Sequence, residues 1–194
     1  MYNISKIEDA IQGYVCITVS VDGENRRYTV RTSVYEELGM PRKGYELDDG
    51  AFETLKLADE YYRAKRAALS ILSYGDNNER TLHTKLRTRG ISDEIATDVV
   101  HEMVSLGYID ESRQLERLII EAVNRKLLGP RKIIPRLMAK GYRSSDIKSV
   151  LSSLCDSGEI DFEENKERLL DKHLGDLRDT EAVKKLLYKH GYNI

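Results

Sequence analysis

One phrase recurs three times in this chain and limits what it can fold into: an apolar residue, three positions, an aliphatic residue, three positions, then glycine. The copies are Leu82…Leu86…Gly90, Ile133…Leu137…Gly141 and Val183…Leu187…Gly191. The glycines lie about 50 residues apart. Arg89, Lys140 and His190 precede them, and Ile91, Tyr142 and Tyr192 follow. An i, i+4 apolar pair occupies one face of a helix, and a glycine four residues on supplies positive φ where that helix must stop. A helix of about three turns is marginal alone, so it must bury its stripe against neighbours. A repeat of this period therefore predicts modules stacked side by side, with function on a shared surface rather than in one catalytic pocket.

The composition agrees. Among 194 residues there is no Trp, Phe occurs twice and 33% of side chains are charged. That suits helices with narrow apolar stripes, and several small cores rather than one large one. The net charge of −2 excludes a surface that is basic throughout. Its distribution is uneven: residues 1–60 carry about five excess negative charges, residues 111–148 about six excess positive ones, and residues 156–181 about six excess negative ones. A basic middle between acidic ends can steer one face toward a polyanion or an acidic protein groove.

The first part of the chain reads differently. Val15, Ile17, Val19 and Val21 alternate with other residues, the period of a strand. Asp22-Gly23 supplies a turn, Arg27–Val30 a return strand and Ile4–Ile7 a third. Thr32 or Ser33 is the expected cap of a short helix that Pro41 blocks. From Asp48 or Asp49 onward every segment reads as helix. Caps are expected at Asp76–Asn78, Asp110 or Ser112, and Ser144 or Ser145; Ser92-Asp93-Glu94 opens one helix, Asp161 or Phe162 starts the last set, and Pro130 is placed to open a helix. The expected fold is mainly α: tandem three-helix repeats, elongated and curved or straight, behind a small β-rich N-terminal element. Its divisions are 1–48 for the β-rich element, 49–107 for module one, 108–155 for module two, and 156–194 for a third module truncated to two helices.

Catalytic signatures are absent. The sequence holds no phosphate-cradling glycine loop and no Gly-x-Ser-x-Gly. His83, His101, His173 and His190 have no ligand spacing, and acidic pairs such as Asp110-Glu111 and Glu163-Glu164 sit at helix starts, where negative charge complements the dipole. No enzyme activity, cofactor or metal is expected. Cys16 and Cys155, far apart, suit a reducing compartment. With no apolar run near 18 residues and a polar N-terminus, neither membrane span nor signal peptide is expected, and the cytoplasm is the expected location.

Two segments carry identity: Gly107-Tyr-Ile-Asp-Glu-Ser-Arg113 and Arg125-Lys-Leu-Leu-Gly-Pro-Arg-Lys-Ile133. With Leu137-x-x-Lys140-Gly141, the phrase Leu82…Leu86…Gly90 and Leu187-Tyr-Lys-His-Gly-Tyr192, they resemble the RecX family, regulators of the RecA recombinase. The resemblance covers about residues 67–192. It implies a non-enzymatic protein that binds the RecA–single-stranded DNA filament in its helical groove and modulates, usually inhibits, recombinase, ATPase and co-protease activity. The implied partners are the filament and, directly or through it, single-stranded DNA; a monomer is expected. Two positions depart from the family pattern: Pro135, which should kink its helix or shift its start, and Gln114-Leu115, where the family favours an aromatic-alanine pair.

Within this reading Gly90, Gly107, Gly129, Pro130, Gly141 and Gly191 are structural corners. Tyr108 and Ile109 are expected in the core, Asp110 is expected to cap a helix, and Arg113 to pair locally with Asp110 or Glu111. Arg125, Lys126, Arg131, Lys132, Arg136, Lys140 and Arg143 surround the Gly129-Pro130 corner and are the candidate contacts to DNA phosphates or an acidic protein surface. The competing readings are a stand-alone DNA-binding helical protein and a generic helical-repeat adaptor.

Overall fold

A computed structural model describes residues 1–175 and 179–193. Asp176 and Arg178, counted in the acidic stretch above, lie outside the described residues. The chain divides into two compact units, one of Met1–Gly75 with Leu82–Met103, the other of Asp76–Thr81 with Val104–Ile194.

The first unit opens with β1 (Tyr2–Asp9), β2 (Tyr14–Val21) and β3 (Glu24–Arg31). With β4 (Glu46–Leu47) they form an antiparallel sheet in the order β3-β2-β1-β4. Asp22 and Gly23 both take positive φ, 51° and 86°, as a two-residue hairpin turn matched to strand twist requires. The alternation in β2 is real: Val15, Ile17 and Val19 are buried against Ile4, Tyr28, Val30 and Phe52. β4, only two residues long, gave no periodic signal in sequence and exists because it pairs with Tyr2 and Asn3 of β1. Helix α1 (Thr32–Glu37) follows, but neither Thr32 nor Ser33 caps it; Arg31 occupies the capping position without a side-chain bond.

Asp48 caps the long helix α2 (Asp49–Ser73), its side chain accepting from the Ala51 amide at 2.7 Å. Phe52 and Leu55 cover the sheet. Asp59, buried on the same helix, accepts the Thr29 amide of β3 at 2.8 Å and Arg63 Nε at 2.9 Å. This satisfies a donor on the sheet's outermost strand, where ladder partners run out. Helices α3 (Glu79–Arg87) and α4 (Asp93–Ser105) follow, with Leu82, Leu86, Ile95, Val99 and Met103 buried.

In the second unit, α5 (Glu111–Ile120) widens into a π-helical turn, Glu121–Arg125, that sequence periodicity did not announce. α6 (Pro130–Ala139), α7 (Ser144–Asp156), α8 (Phe162–Leu174) and α9 (Thr180–His190) complete it. Asp110 and Asp161 cap α5 and α8. Arg143, not Ser144 or Ser145, precedes α7, and its side chain makes no cap. α6 starts at Pro130 and continues through Pro135 to Ala139. Pro135 withholds one amide, the one that would reach the Arg131 carbonyl, and the helix tolerates the loss. The core of α5, α6 and α7 gathers Leu115, Ile119, Val123, Ile133, Leu137, Ile147 and Leu151. A second cluster joins Leu127, Leu169 and Tyr192. The fold is mainly helical, built of repeated short helices behind a small antiparallel sheet. Among the described residues no helix is long and apolar enough to cross a membrane.

One placement corrects the sequence reading. Ile109 is buried, but Tyr108 is 56% exposed. Gly107 turns the chain at φ 74° and Tyr108 sits in a bend before the extended cap residue Asp110. The bend leaves the Tyr108 ring at the surface while Ile109 enters the core.

Candidate functional site

The corner forms because two glycines allow two backbones to touch. An added Cβ on Gly129 would lie 2.4 Å from the Gly191 carbonyl oxygen, and one on Gly191 would lie 2.7 Å from Lys132 Cγ. The Gly129 amide donates to the His190 carbonyl at 2.9 Å, and the Arg131 amide to the Gly191 carbonyl at 3.2 Å. The third glycine phrase is thus seated on the corner that opens the second. Tyr192 follows it into the cluster with Leu127 and Leu169, edge to face with Phe162 at 6.3 Å.

The same docking occurs one repeat earlier with different chemistry. Asn78 stands four residues before Leu82, as Gly129 stands four before Ile133. Its Nδ2 donates to the Lys140 carbonyl at 2.8 Å, and its Oδ1 accepts the Thr81 amide at 2.8 Å. In both cases the residue before the phrase glycine, Lys140 or His190, contributes its carbonyl. Around Asn78 the joint is polar. The Glu79 amide donates to Glu111 Oε1 at 2.9 Å, Gln114 Nε2 to the Asn77 carbonyl at 3.2 Å, and the Tyr142 hydroxyl to Gln114 Oε1 at 2.8 Å. Counting 51 residues on from Glu79, Glu111 and Gln114 gives Pro130, Phe162 and Asn165. Pro130 has no amide to donate, and the carboxylate that would receive it is replaced by a phenyl ring. Asn165, one methylene shorter than Gln114, bonds instead to the Asp161 carbonyl, Asn124 and Arg168. The buried Tyr192 hydroxyl has no partner among the described residues, and burial pushes its pKa up to about 12.

Glu111 carries a testable consequence. Burial raises its carboxyl above the usual range, the Glu79 amide and Arg143 only partly opposing this. A carboxyl with a raised folded-state pKa binds its proton more tightly folded than unfolded, so its contribution to stability falls as pH rises past the ordinary value of about 4.3. Glu111→Gln keeps an oxygen for the Glu79 amide and removes the titration. Urea midpoints measured from pH 4 to pH 7 should therefore decline less with rising pH in this variant than in the parent; identical profiles would show that Glu111 titrates normally.

All seven candidate basic side chains are exposed. Lys126, Arg136 and Lys140 line one shallow cleft with a floor of Leu118, Ala122, Ile133 and Leu137; Glu121 sits on its wall, 2.8 Å from Lys126 Nζ. Arg131 and Lys132 lie elsewhere. The Arg131 guanidinium stacks over the Tyr188 ring, 5.3 Å from its centroid, and the Lys132 stem abuts Gly191. Arg143 precedes α7, and Arg125 ends the π-helical turn. Asp110 caps as expected, accepting the Arg113 amide at 3.0 Å. The guanidinium of Arg113 makes no ion pair with Asp110 or Glu111 among the described residues, so the local pair is made by backbone alone. Among the described residues no three His, Cys, Asp or Glu side chains gather as metal ligands. Tyr188 escaped the sequence reading, which offered Asn78 only as a cap, Glu111 only as a helix-start acid and partner of Arg113, and Gln114 only as a departure from the family pattern; their roles in the polar joint were missed. Aligning the repeats at a 51-residue offset is the signal that would have exposed the last three.

No protein-family model matches the chain. It is 28% identical over 169 residues to regulatory protein RecX of Clostridium acetobutylicum, covering 87% of this chain and 77% of that one. It is 23% identical over 155 residues to regulatory protein RecX of Bacillus licheniformis, 78% of this chain and 59% of that one. The chain thus spans well under two thirds of the Bacillus licheniformis relative, and 57% of the Lactobacillus johnsonii one. A crystal structure of regulatory protein RecX superposes with a TM-score of 0.72 at 24% identity, covering 100% of this chain and 95% of that one, and shares its fold.

Proposed function

The chain is a member of the RecX family of regulatory proteins, and from that premise we propose that it regulates the RecA recombinase without catalysis of its own. It binds the recombinase filament on single-stranded DNA, within the helical groove, and restrains its ATPase, recombinase and co-protease activities in the cytoplasm. The observation that carries this reading is the cleft on the second unit, where Lys126, Arg136 and Lys140 converge over an apolar floor. Exposed ammonium and guanidinium groups around an apolar floor fit an acidic protein surface or a phosphate backbone with nonpolar contact beneath. Arg131, Lys132, Arg125 and Arg143 extend the same charge around the corner. The helices act as tandem modules over 49–107, 108–155 and 156–194, and several weak contacts from one chain gain strength from high effective concentration.

The test is RecA ATPase on single-stranded DNA with this chain added substoichiometrically. Hydrolysis should fall. The double variant Arg136→Glu with Lys140→Glu should need about ten times more protein for half-inhibition, since each reversed rim charge is worth about 0.7 kcal/mol. Unchanged hydrolysis with the parent chain would sink the reading. Tight binding to naked duplex with a steep salt slope would favour the stand-alone DNA-binding alternative.

A further inference from the structure

A second cleft lies in the first unit, far in sequence from the basic cluster. It has a volume of about 180 Å³ and is lined by Tyr14, Arg31, Val34, Ala58, Tyr61 and Tyr62, from β2, β3, α1 and α2. One water needs only about 15 Å³, so this open cleft has room for a larger group. Half the lining is tyrosine. The Tyr14 and Tyr62 rings lie 4.9 Å apart, tilted by 52°. The Arg31 guanidinium sits 5.6 Å from the Tyr61 centroid, and that of Arg66 5.8 Å from the Tyr62 centroid.

This arrangement is braced from α4. Glu102 accepts the Tyr61 hydroxyl at 2.7 Å, Lys65 Nζ at 2.6 Å and Arg31 Nη2 at 3.4 Å. Tyr61 and Arg31 are thus fixed before any ligand arrives, which lowers the ordering cost of binding. Arg31 and Lys65 outnumber the one carboxylate they share, Asp98 adds one negative charge near Tyr61, and Arg66 ion-pairs with no carboxylate among the described residues, so the balance stays positive. A positive rim repels the cations that tyrosine cages otherwise take, and an aliphatic side chain would leave the rim unused. A planar ring attached to a phosphate satisfies both features: ring faces for stacking, and guanidinium and ammonium groups for the anion.

We infer that this cleft binds an unpaired nucleobase of a single-stranded nucleic acid, stacked on Tyr14 and Tyr62 with its phosphate on Arg66 and Arg31. The site is independent of the filament reading, and its test contains no recombinase.

The full chain is titrated with a single-stranded oligonucleotide carrying one 2-aminopurine, whose emission is quenched by stacking. Quenching should saturate. Tyr62→Phe, which keeps the ring, should bind as the parent does, and Tyr62→Leu should bind roughly tenfold more weakly. Arg66→Glu should weaken binding and reduce the salt slope by about one. Free 2-aminopurine nucleotide should quench only at far higher concentration; equal potency would overturn a strand in favour of a small nucleotide. Photocrosslinking the parent chain to a 5-bromouracil strand gives a measurement that does not depend on how the variants fold. Adducts should map to Tyr14, Tyr61 or Tyr62. Adducts confined to residues 125–143, or wild-type quenching by Tyr62→Leu, would overturn the inference.

Discussion

Replacing Gly129 with alanine should lower the thermal midpoint of this protein by about 10 °C, whereas the same change at Gly90 should cost about a third of that. The two differ in what their missing side chains would meet. At Gly129 a Cβ would fall 2.4 Å from the carbonyl oxygen of Gly191 and 2.7 Å from the Tyr192 amide nitrogen. Both obstacles are backbone and cannot rotate away. Relief requires separating the two helix ends joined by the Gly129–His190 and Arg131–Gly191 hydrogen bonds. Overpacking of this kind costs about 1–3 kcal/mol, and each weakened bond about 1 more. A loss of about 3–4 kcal/mol converts to about 10 °C in a chain of this length. At Gly90 the φ is +82° but nothing lies within 4 Å of the added carbon. Only the left-handed backbone opposes alanine there, at about 1–2 kcal/mol. Gly191 combines both penalties, at φ +85° with Lys132 Cβ and N at 2.9 Å. Calorimetry on the three variants would rank them directly. Equal losses at Gly90 and Gly191 would contradict the docking.

Two buried tyrosines should respond oppositely to loss of their hydroxyls. Tyr142 donates to Gln114 at 2.8 Å, so Tyr142→Phe removes a buried bond and should cost about 1 kcal/mol. Gln114→Leu removes that bond and the one to the Asn77 carbonyl, and leaves the Tyr142 hydroxyl stranded; a loss of about 2–4 kcal/mol is expected. Tyr192 occupies the equivalent place after the third phrase, 1% exposed, with its hydroxyl unmet. Removing a buried polar atom that has no partner relieves desolvation, so Tyr192→Phe should be neutral or stabilising by up to about 1 kcal/mol. Urea unfolding at constant pH decides the matter. If Tyr192→Phe proves as costly as Tyr142→Phe, a partner for that hydroxyl exists.

These contrasts mark how far the sequence could be read. Local signals carried over well. The alternation of Val15, Ile17 and Val19 became a strand, Asp22-Gly23 its turn, and Asp48, Asp110 and Asp161 became caps. Such features depend on backbone geometry within a few residues. The resemblance to the RecX family was legible as well, because the Gly107–Arg113 and Arg125–Ile133 segments carry it. The basic cluster was legible only as composition. Lys126, Arg136 and Lys140 are 4–14 residues apart, and nothing in their spacing says that they share one cleft while Arg131 turns to Tyr188. That partition depends on where the π-helical turn places Lys126 and where α9 places its tyrosine. Tyr108 differs for a related reason: an apolar ring beside a buried isoleucine looks like core, yet the bend after Gly107 leaves it at the surface.

Local pattern in the sequence was enough to establish a mainly helical chain with a small sheet at its start, its three repeated phrases each ending a helix at glycine. Periodicity, capping chemistry and positive φ are local properties, and they sufficed. It presented Gly90, Gly141 and Gly191 as equals. Only the tertiary structure distinguished them: Gly90 meets open space, Gly141 meets the Asn78 amide, and Gly191 meets the backbone of Lys132. The same holds for the joints, polar through Glu111 and Gln114 in one case, and built on Pro130, Phe162 and Tyr192 in the other. Which residue meets which across 50 positions is set by how helices dock, and close packing lets a single carbon atom decide whether two backbones can touch.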